Sequence, residues 1–228
     1  PIAKWAQTEL FNYKNEHTVF KKGKNNIMDE RQIIDNLCNH KYKIINLLKA
    51  KNWKHFEDYF LIMAKYTSGD LDENFQRIFC RFYILNGARG LTRSQKTIYF
   101  QLLSQKETSL NKILKTLYDI PGYQNSRRLF LSFGTKLLHT TDTSLHIYDG
   151  NIAHVLGLKK QENLNTLEEK ISNRLDIYDE LKSRFISLLS NDKIRHYLID
   201  IRQELKKIAL SDGFTWQDKL LSDPKLLD

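Results

Sequence analysis

The chain has 228 residues, 41% of them hydrophobic, and a net charge of +9. That length and apolar content suit one sizeable folded domain or two small ones and exclude a disordered segment. No apolar run approaches the ~20 residues that span a bilayer, and no secretory leader pattern opens the chain, so a soluble cytoplasmic protein without a membrane partner is expected.

Only three prolines and nine glycines interrupt the chain, and apolar residues recur at three and four positions along most of it, which predicts an all-α fold. The segment Lys21-Lys22-Gly23-Lys24-Asn25-Asn26 reads as a loop. A helix should start near Asp29, a residue able to accept orphan amide hydrogens, and run through Ile33, Ile34, Leu37, Ile44 and Leu48 with a bend at Asn39-His40. Helices over Trp53 to Tyr66 and Leu71 to Leu85 follow, the second with an aromatic face of Phe75, Phe79, Phe82 and Tyr83 that belongs to the core.

A turn at Asn86 to Gly90 precedes a helix capped by Thr92, and Thr108 or Ser109 caps the next, whose buried side carries Leu110, Ile113, Leu114 and Leu117. Pro121-Gly122 ends that helix, because the residue before a proline is pushed out of the helical region and glycine admits a positive φ. A further helix is expected from Ser126 to His139, a loop over Thr140 to Tyr148, and a short helix opened by Asp149 and ending near Gly157. Two long amphipathic helices, Leu164 to Leu189 and Lys193 to Leu210, lead to a mixed, polar end at Trp216 to Asp228. The whole, 1–228, reads as one helical domain, with a two-lobed arrangement left open. Cys38 and Cys80 stand apart from other metal-ligating residues and read as buried, reduced thiols.

The charge is concentrated. Between Arg81 and Lys136 there are ten basic residues and two acidic ones, Glu107 and Asp119, a local +8 that leaves the rest of the chain nearly balanced. Such a zone draws a polyanion and makes its binding salt-dependent; the alternative is a solvated basic surface, or one that meets an acidic protein partner. Within it lies Ile120-Pro121-Gly122-Tyr123-Gln124-Asn125-Ser126-Arg127-Arg128. A tight turn between helices offers backbone amides and a helix N-terminus to a phosphate, Gln124, Asn125 and Ser126 add neutral donors, and Arg127 and Arg128 add charge. Tyr123, at the tip, is the candidate for an exposed contact. Asp149 follows the proline by 28 residues. Its position fits an N-cap, and a carboxylate fixed in that way is also oriented for chemistry. The nearby His139, His146 and His154 have no compact ligand spacing and read as surface or core-edge residues, so neither a metal nor a cofactor is expected.

Together, the turn and the segment Tyr148-Asp149-Gly150-Asn151-Ile152-Ala153-His154-Val155-Leu156-Gly157-Leu158 resemble the helix-hairpin-helix DNA glycosylase superfamily, whose members carry a Leu-Pro-Gly-x-Gly hairpin, a helix behind it, and then an aspartate. Gln124 stands where the family has its second glycine, and Ser126 or its arginine neighbours stand where bifunctional members have a lysine. The resemblance implies a two-lobed helical fold, with hairpin and acid inside 107–158. It also implies a monomer on double-stranded DNA that flips a base out of the stack, with Asp149 stabilising the sugar cation as the base leaves. Lys136 is the nearest lysine for a Schiff-base step; its displaced position favours a monofunctional, water-using enzyme. A DNA-binding protein that has lost the chemistry and a helical protein-interaction domain are the alternatives.

Overall fold

The computed structural model describes residues 29–49, 53–87 and 89–227. Among them are eleven α-helices, two short 3-10 turns and no strand: α1 (Glu30–Asn39), α2 (Lys41–Lys49), α3 (Lys54–Ser68), α4 (Glu73–Phe82), α5 (Arg93–Ser104), α6 (Leu110–Asp119), α7 (Leu131–Thr141), α8 (Gly150–Val155), α9 (Leu167–Ser190), α10 (Asp192–Ser211) and α11 (Asp223–Leu227). The described residues are therefore all-α, and no described helix is long and apolar enough to cross a membrane. The loop expected at Lys21 to Asn26 lies outside the described residues.

Helix starts follow local cap chemistry. The Asp29 carboxylate accepts from Gln32 N at 2.8 Å while the Gln32 side chain accepts from Asp29 N, closing a capping box. The expected bend at His40 separates α1 from α2. Thr92, Ser109 and Asp149 each accept from an amide two or three residues on, at the heads of α5, α6 and α8. Each such cap contributes roughly 1 kcal/mol.

One continuous apolar cluster runs through the described residues. Phe75 and Phe79 of α4 pack edge-on against Phe100 of α5, with centroids 6.1 and 5.6 Å away. At the other side Trp53 stacks on Phe214 at 5.8 Å, and Trp216 sits 5.1 Å from Phe56. The expected polar terminus is thus part of the core: Trp216, Leu221, Lys225 and Leu226 are buried. Too few residues separate its turns for a helical period to show in the sequence. Helices α5, α6 and α7 pack on one another, α6 also meets α9, and α10 is covered by α1, α2 and α11. Gly134 allows α7 to lie close on α6, since a β-carbon there would sit 2.9 Å from Leu110 Cδ1.

Of the two thiols, Cys80 is buried as expected, but Cys38 is exposed, in the last turn of α1 beyond the buried pair Ile33 and Ile34. His139 and His146 depart from the expected surface or edge positions as well, being buried, while His154 is exposed. His139 Nδ1 lies 2.7 Å from the Leu145 carbonyl and must donate to it, so Nε2, 3.1 Å away, accepts from the Tyr59 hydroxyl. That pairing keeps a neutral ring satisfied in the core. No cluster of three or more metal-ligating side chains occurs among the described residues.

Candidate nucleic-acid interface

Helix α6 ends where the sequence places the break, at Ile120 before Pro121. Proline has no amide hydrogen, so the Leu117 carbonyl, four residues earlier, lacks its helical donor. Gln95 supplies it. This side chain, 0% exposed in the third position of α5, donates from Nε2 to the Leu117 and Ile120 carbonyls at 3.3 and 2.9 Å. Its Oε1 accepts from Thr92 N at 3.0 Å. One buried amide therefore ties the start of α5 to the end of α6 and fixes the corner from which the turn departs.

The turn itself is tight. Gly122 N donates to the Ser126 carbonyl at 2.8 Å, Asn125 N to Gly122 and Ser126 N to Tyr123. Gln124 and Asn125 both take left-handed φ values, 56° and 57°. Asparagine tolerates that region; for glutamine it costs roughly 1 kcal/mol or more. Gln124 thus adopts the kind of backbone conformation that glycine favours, at the position where the resembled hairpin has one. Gly122 has its own constraint, since a β-carbon there would meet the Ser126 carbonyl at 2.9 Å.

The helix expected to begin at Ser126 begins at Leu131. Ser126 is extended, with φ −79° and ψ 140°, while its carbonyl accepts from Gly122 N across the turn, so no helix begins there and the opening bond forms from Gly134 N to Phe130 O. Residues 126–130 run outside any helix, Phe130 stacks on Phe133 at 5.3 Å, and the start of α7 has no side-chain cap. The phosphate cradle expected from a helix N-terminus within the turn is therefore not formed: three of the turn's amides are spent on the turn, and the dipole end of α7 lies beyond it. What the turn does offer outward is side chains. Tyr123 is 47% exposed, Gln124, Asn125, Arg127 and Arg128 are exposed, and Ser126 is half-buried with its hydroxyl turned to the Tyr123 carbonyl at 2.8 Å. The Arg127 guanidinium lies 6.0 Å from the centre of the Tyr118 ring.

The chain returns to this neighbourhood at Tyr148. Thr135, 0% exposed in α7, accepts from Tyr148 N through Oγ1 at 2.9 Å. Asp149 follows immediately, half-buried in an extended conformation, with Oδ1 accepting from Asn151 N at 2.8 Å. Its other oxygen has no hydrogen-bond partner among the described residues. The acid is thus held twice, by its own cap bond and by a backbone bond onto the second turn of the helix behind the hairpin. Tyr148 is buried, and its hydroxyl accepts from Gln161 Nε2 at 3.0 Å.

Lys136 occupies a different position. Its amine donates to the Tyr83 carbonyl at 3.0 Å, at the end of α4, and lies 5.2 Å from the Phe133 ring. The other zone cations divide similarly. Arg81 makes a pair of bonds to Asp58 at 2.9 and 3.0 Å, Lys112 pairs with Glu107, and Lys96 donates to Asn86. Arg89, Arg93, Lys106, Lys115, Arg127 and Arg128 are exposed without an ion pair among the described residues. Sequence reading missed Gln95 and Thr135 as supports; their only sequence signal is a polar residue on an otherwise apolar helix face. Comparison with known proteins finds no family model, no curated protein and no solved structure that matches the chain.

Proposed function

We propose that this chain is a monofunctional DNA base-excision enzyme of the helix-hairpin-helix glycosylase kind, in which Asp149 acts on a nucleotide flipped out of duplex DNA. The observation that carries the reading is the fixing of Asp149: its carboxylate is oriented by the Asn151 amide, and its backbone is anchored through Tyr148 to Thr135, in the helix that follows the hairpin. Departure of a base leaves positive charge on the sugar, and a carboxylate held in advance stabilises that charge without reorganising during the reaction. The same anion accepts a proton from the attacking water. Arg127, Arg128 and the exposed side chains of Tyr123, Gln124 and Asn125 hold the backbone beside it without reading sequence. Engagement of the Lys136 amine by the Tyr83 carbonyl favours water over an amine nucleophile.

Base release from duplexes carrying a panel of damaged and modified bases tests this. Wild-type protein should release at least one, Asp149→Asn should lose release while still binding DNA, and trapping with borohydride should yield no covalent adduct. Absence of any release from the panel refutes the enzyme. A second reading, a DNA-binding protein that has kept the scaffold alone, is favoured by the strained Gln124 in the hairpin; it requires duplex binding by wild type with no release.

A further inference from the structure

The segments on either side of the buried Gln95 carry a second pair of arginines. Residues 85–96 contain Arg89, Arg93 and Lys96 and no acid; residues 119–128 contain Arg127, Arg128 and one acid, the exposed Asp119. The two segments belong to one corner, since Gln95 bonds to Thr92 N on one side and to the Ile120 carbonyl on the other. At the far end of α5, roughly 18 Å away at 1.5 Å per residue, Lys106 lies outside it. The +8 zone of the sequence therefore includes a corner that carries Arg89, Arg93, Lys96, Arg127 and Arg128.

The loop bearing Arg89 is built to a fixed shape. Leu91 N donates to the Leu85 carbonyl at 2.8 Å, Gly90 N to Gly87, and both leucines are 0% exposed. A β-carbon on Gly90 would stand 2.2 Å from the Leu85 carbonyl, so only glycine closes this loop. Arg89 is exposed beside Gly90, and Arg93 leaves the first turn of α5. Two positions along a helix are about 200° apart, so Arg93 points away from Gln95 and from the Pro-Gly turn. The two arginine pairs therefore stand at the start of α5, one on the loop and first turn that lead into it and the other on the turn tied to it through Gln95.

We infer that Arg89 and Arg93 form a second phosphate-binding element beside the hairpin, so that one nucleic-acid backbone is gripped on both sides of α5. The inference rests on the nucleic-acid partner proposed above and adds residues that the hairpin resemblance does not reach. Guanidinium groups suit it, being permanently charged and able to fork onto phosphate oxygens.

Anisotropy titration of an undamaged duplex of about two helical turns, over about 50 to 200 mM salt, tests it. Relative to wild type, Arg89→Ala/Arg93→Ala should weaken binding by about tenfold at the low-salt end and lower the slope of log K against log salt by about 2, near 0.9 for each lost phosphate contact. Arg89→Lys/Arg93→Lys should retain most of that slope. Arg184→Ala/Lys207→Ala, removing two exposed cations elsewhere, should leave it unchanged, and far-UV circular dichroism should match across all variants. If only Arg127→Ala/Arg128→Ala weakens binding, the second element is refuted and the hairpin reading stands. If wild type fails to bind duplex at low salt, the nucleic-acid reading itself falls. Arginine-dependent binding to anionic vesicles in place of DNA would equally overturn the inference.

Discussion

Replacing Gln95 with leucine, which has nearly the same volume and no polar atom, isolates the polar role of one side chain. The substitution leaves the Thr92 amide and the Leu117 and Ile120 carbonyls without the partners they have at 3.0, 3.3 and 2.9 Å. A buried polar group stripped of its partner costs about 1–3 kcal/mol. Thr92 and Ile120 are half-buried and recover part of that from water, whereas Leu117 is 0% exposed and, facing Pro121, has no helical donor to fall back on. The expected loss is about 2–4 kcal/mol, a large part of the ~5–15 kcal/mol that holds a typical domain together. Urea unfolding followed by circular dichroism measures it as a shift in midpoint at constant slope. A loss below about 1 kcal/mol would refute the reasoning, because it would mean the corner repacks without its amide. A second readout is duplex affinity in native buffer, which should fall because the turn and the arginine loop lose their common tie.

Thr135→Val should destabilise the fold by about 1–2 kcal/mol through the orphaned Tyr148 amide, and, where the proposed base release is found, should lower its kcat more than it raises KM; Thr135→Ser should restore both, and equal kinetics for valine and threonine would dissociate Asp149 from this support. Gln124→Gly should raise the unfolding midpoint by about 0.5–1 kcal/mol equivalent, left-handed relief being partly offset by glycine's entropy; a lower midpoint would show that the Gln124 side chain contributes more than its backbone costs. Asp149→Asn should keep the helix cap and Asp149→Ala should lose about 1 kcal/mol of it, so thermal melts separate cap from chemistry. Bonds from the amides of Phe75 and Thr166 hold the carboxyls of Asp72 and Glu169 below the usual range, and Lys206 does the same for Asp218. Groups depressed in the folded state stabilise it above their unfolded pKa and lose that contribution as pH falls through the folded value. The urea midpoint should therefore decline on acidification through the carboxylate range, and a midpoint unchanged down to about pH 3 would contradict this.

Helix starts were the most legible part of the sequence, because a cap needs only a side chain and an amide a few residues away. Asp29, Thr92, Ser109 and Asp149 all serve as caps where the local pattern places them. The start of α7 was not legible for the opposite reason. It depends on a bond across the turn, from Gly122 N to the Ser126 carbonyl, that goes with an extended Ser126. The supports of the candidate site share that character: Gln95 reads in one dimension as an ordinary polar helix residue, and only the arrival of a proline-terminated helix 22 positions later gives its amide a purpose. The charge zone was visible as a sum, whereas its division into paired and unpaired members depends on Asp58 and Tyr83, brought in from α3 and the end of α4.

The aromatic junction around Trp53 also bears on the order in which the chain folds. The Trp53 indole donates to Asp212, 159 residues away, at 3.0 Å, and lies edge-on to Trp216 at 6.3 Å. Contacts of such separation cannot form until both ends of the intervening chain are available, and closing that loop is an entropic cost borne before the contact returns anything. The α5–α6–α7 unit, with its short connections, is free to assemble first. Tryptophan fluorescence would then report a late closing event, following the gain of helical signal in a stopped-flow refolding experiment. The Pro-Gly turn and the segment bonded to Thr135 would be in place before the molecule has sealed the seam between its early and late helices.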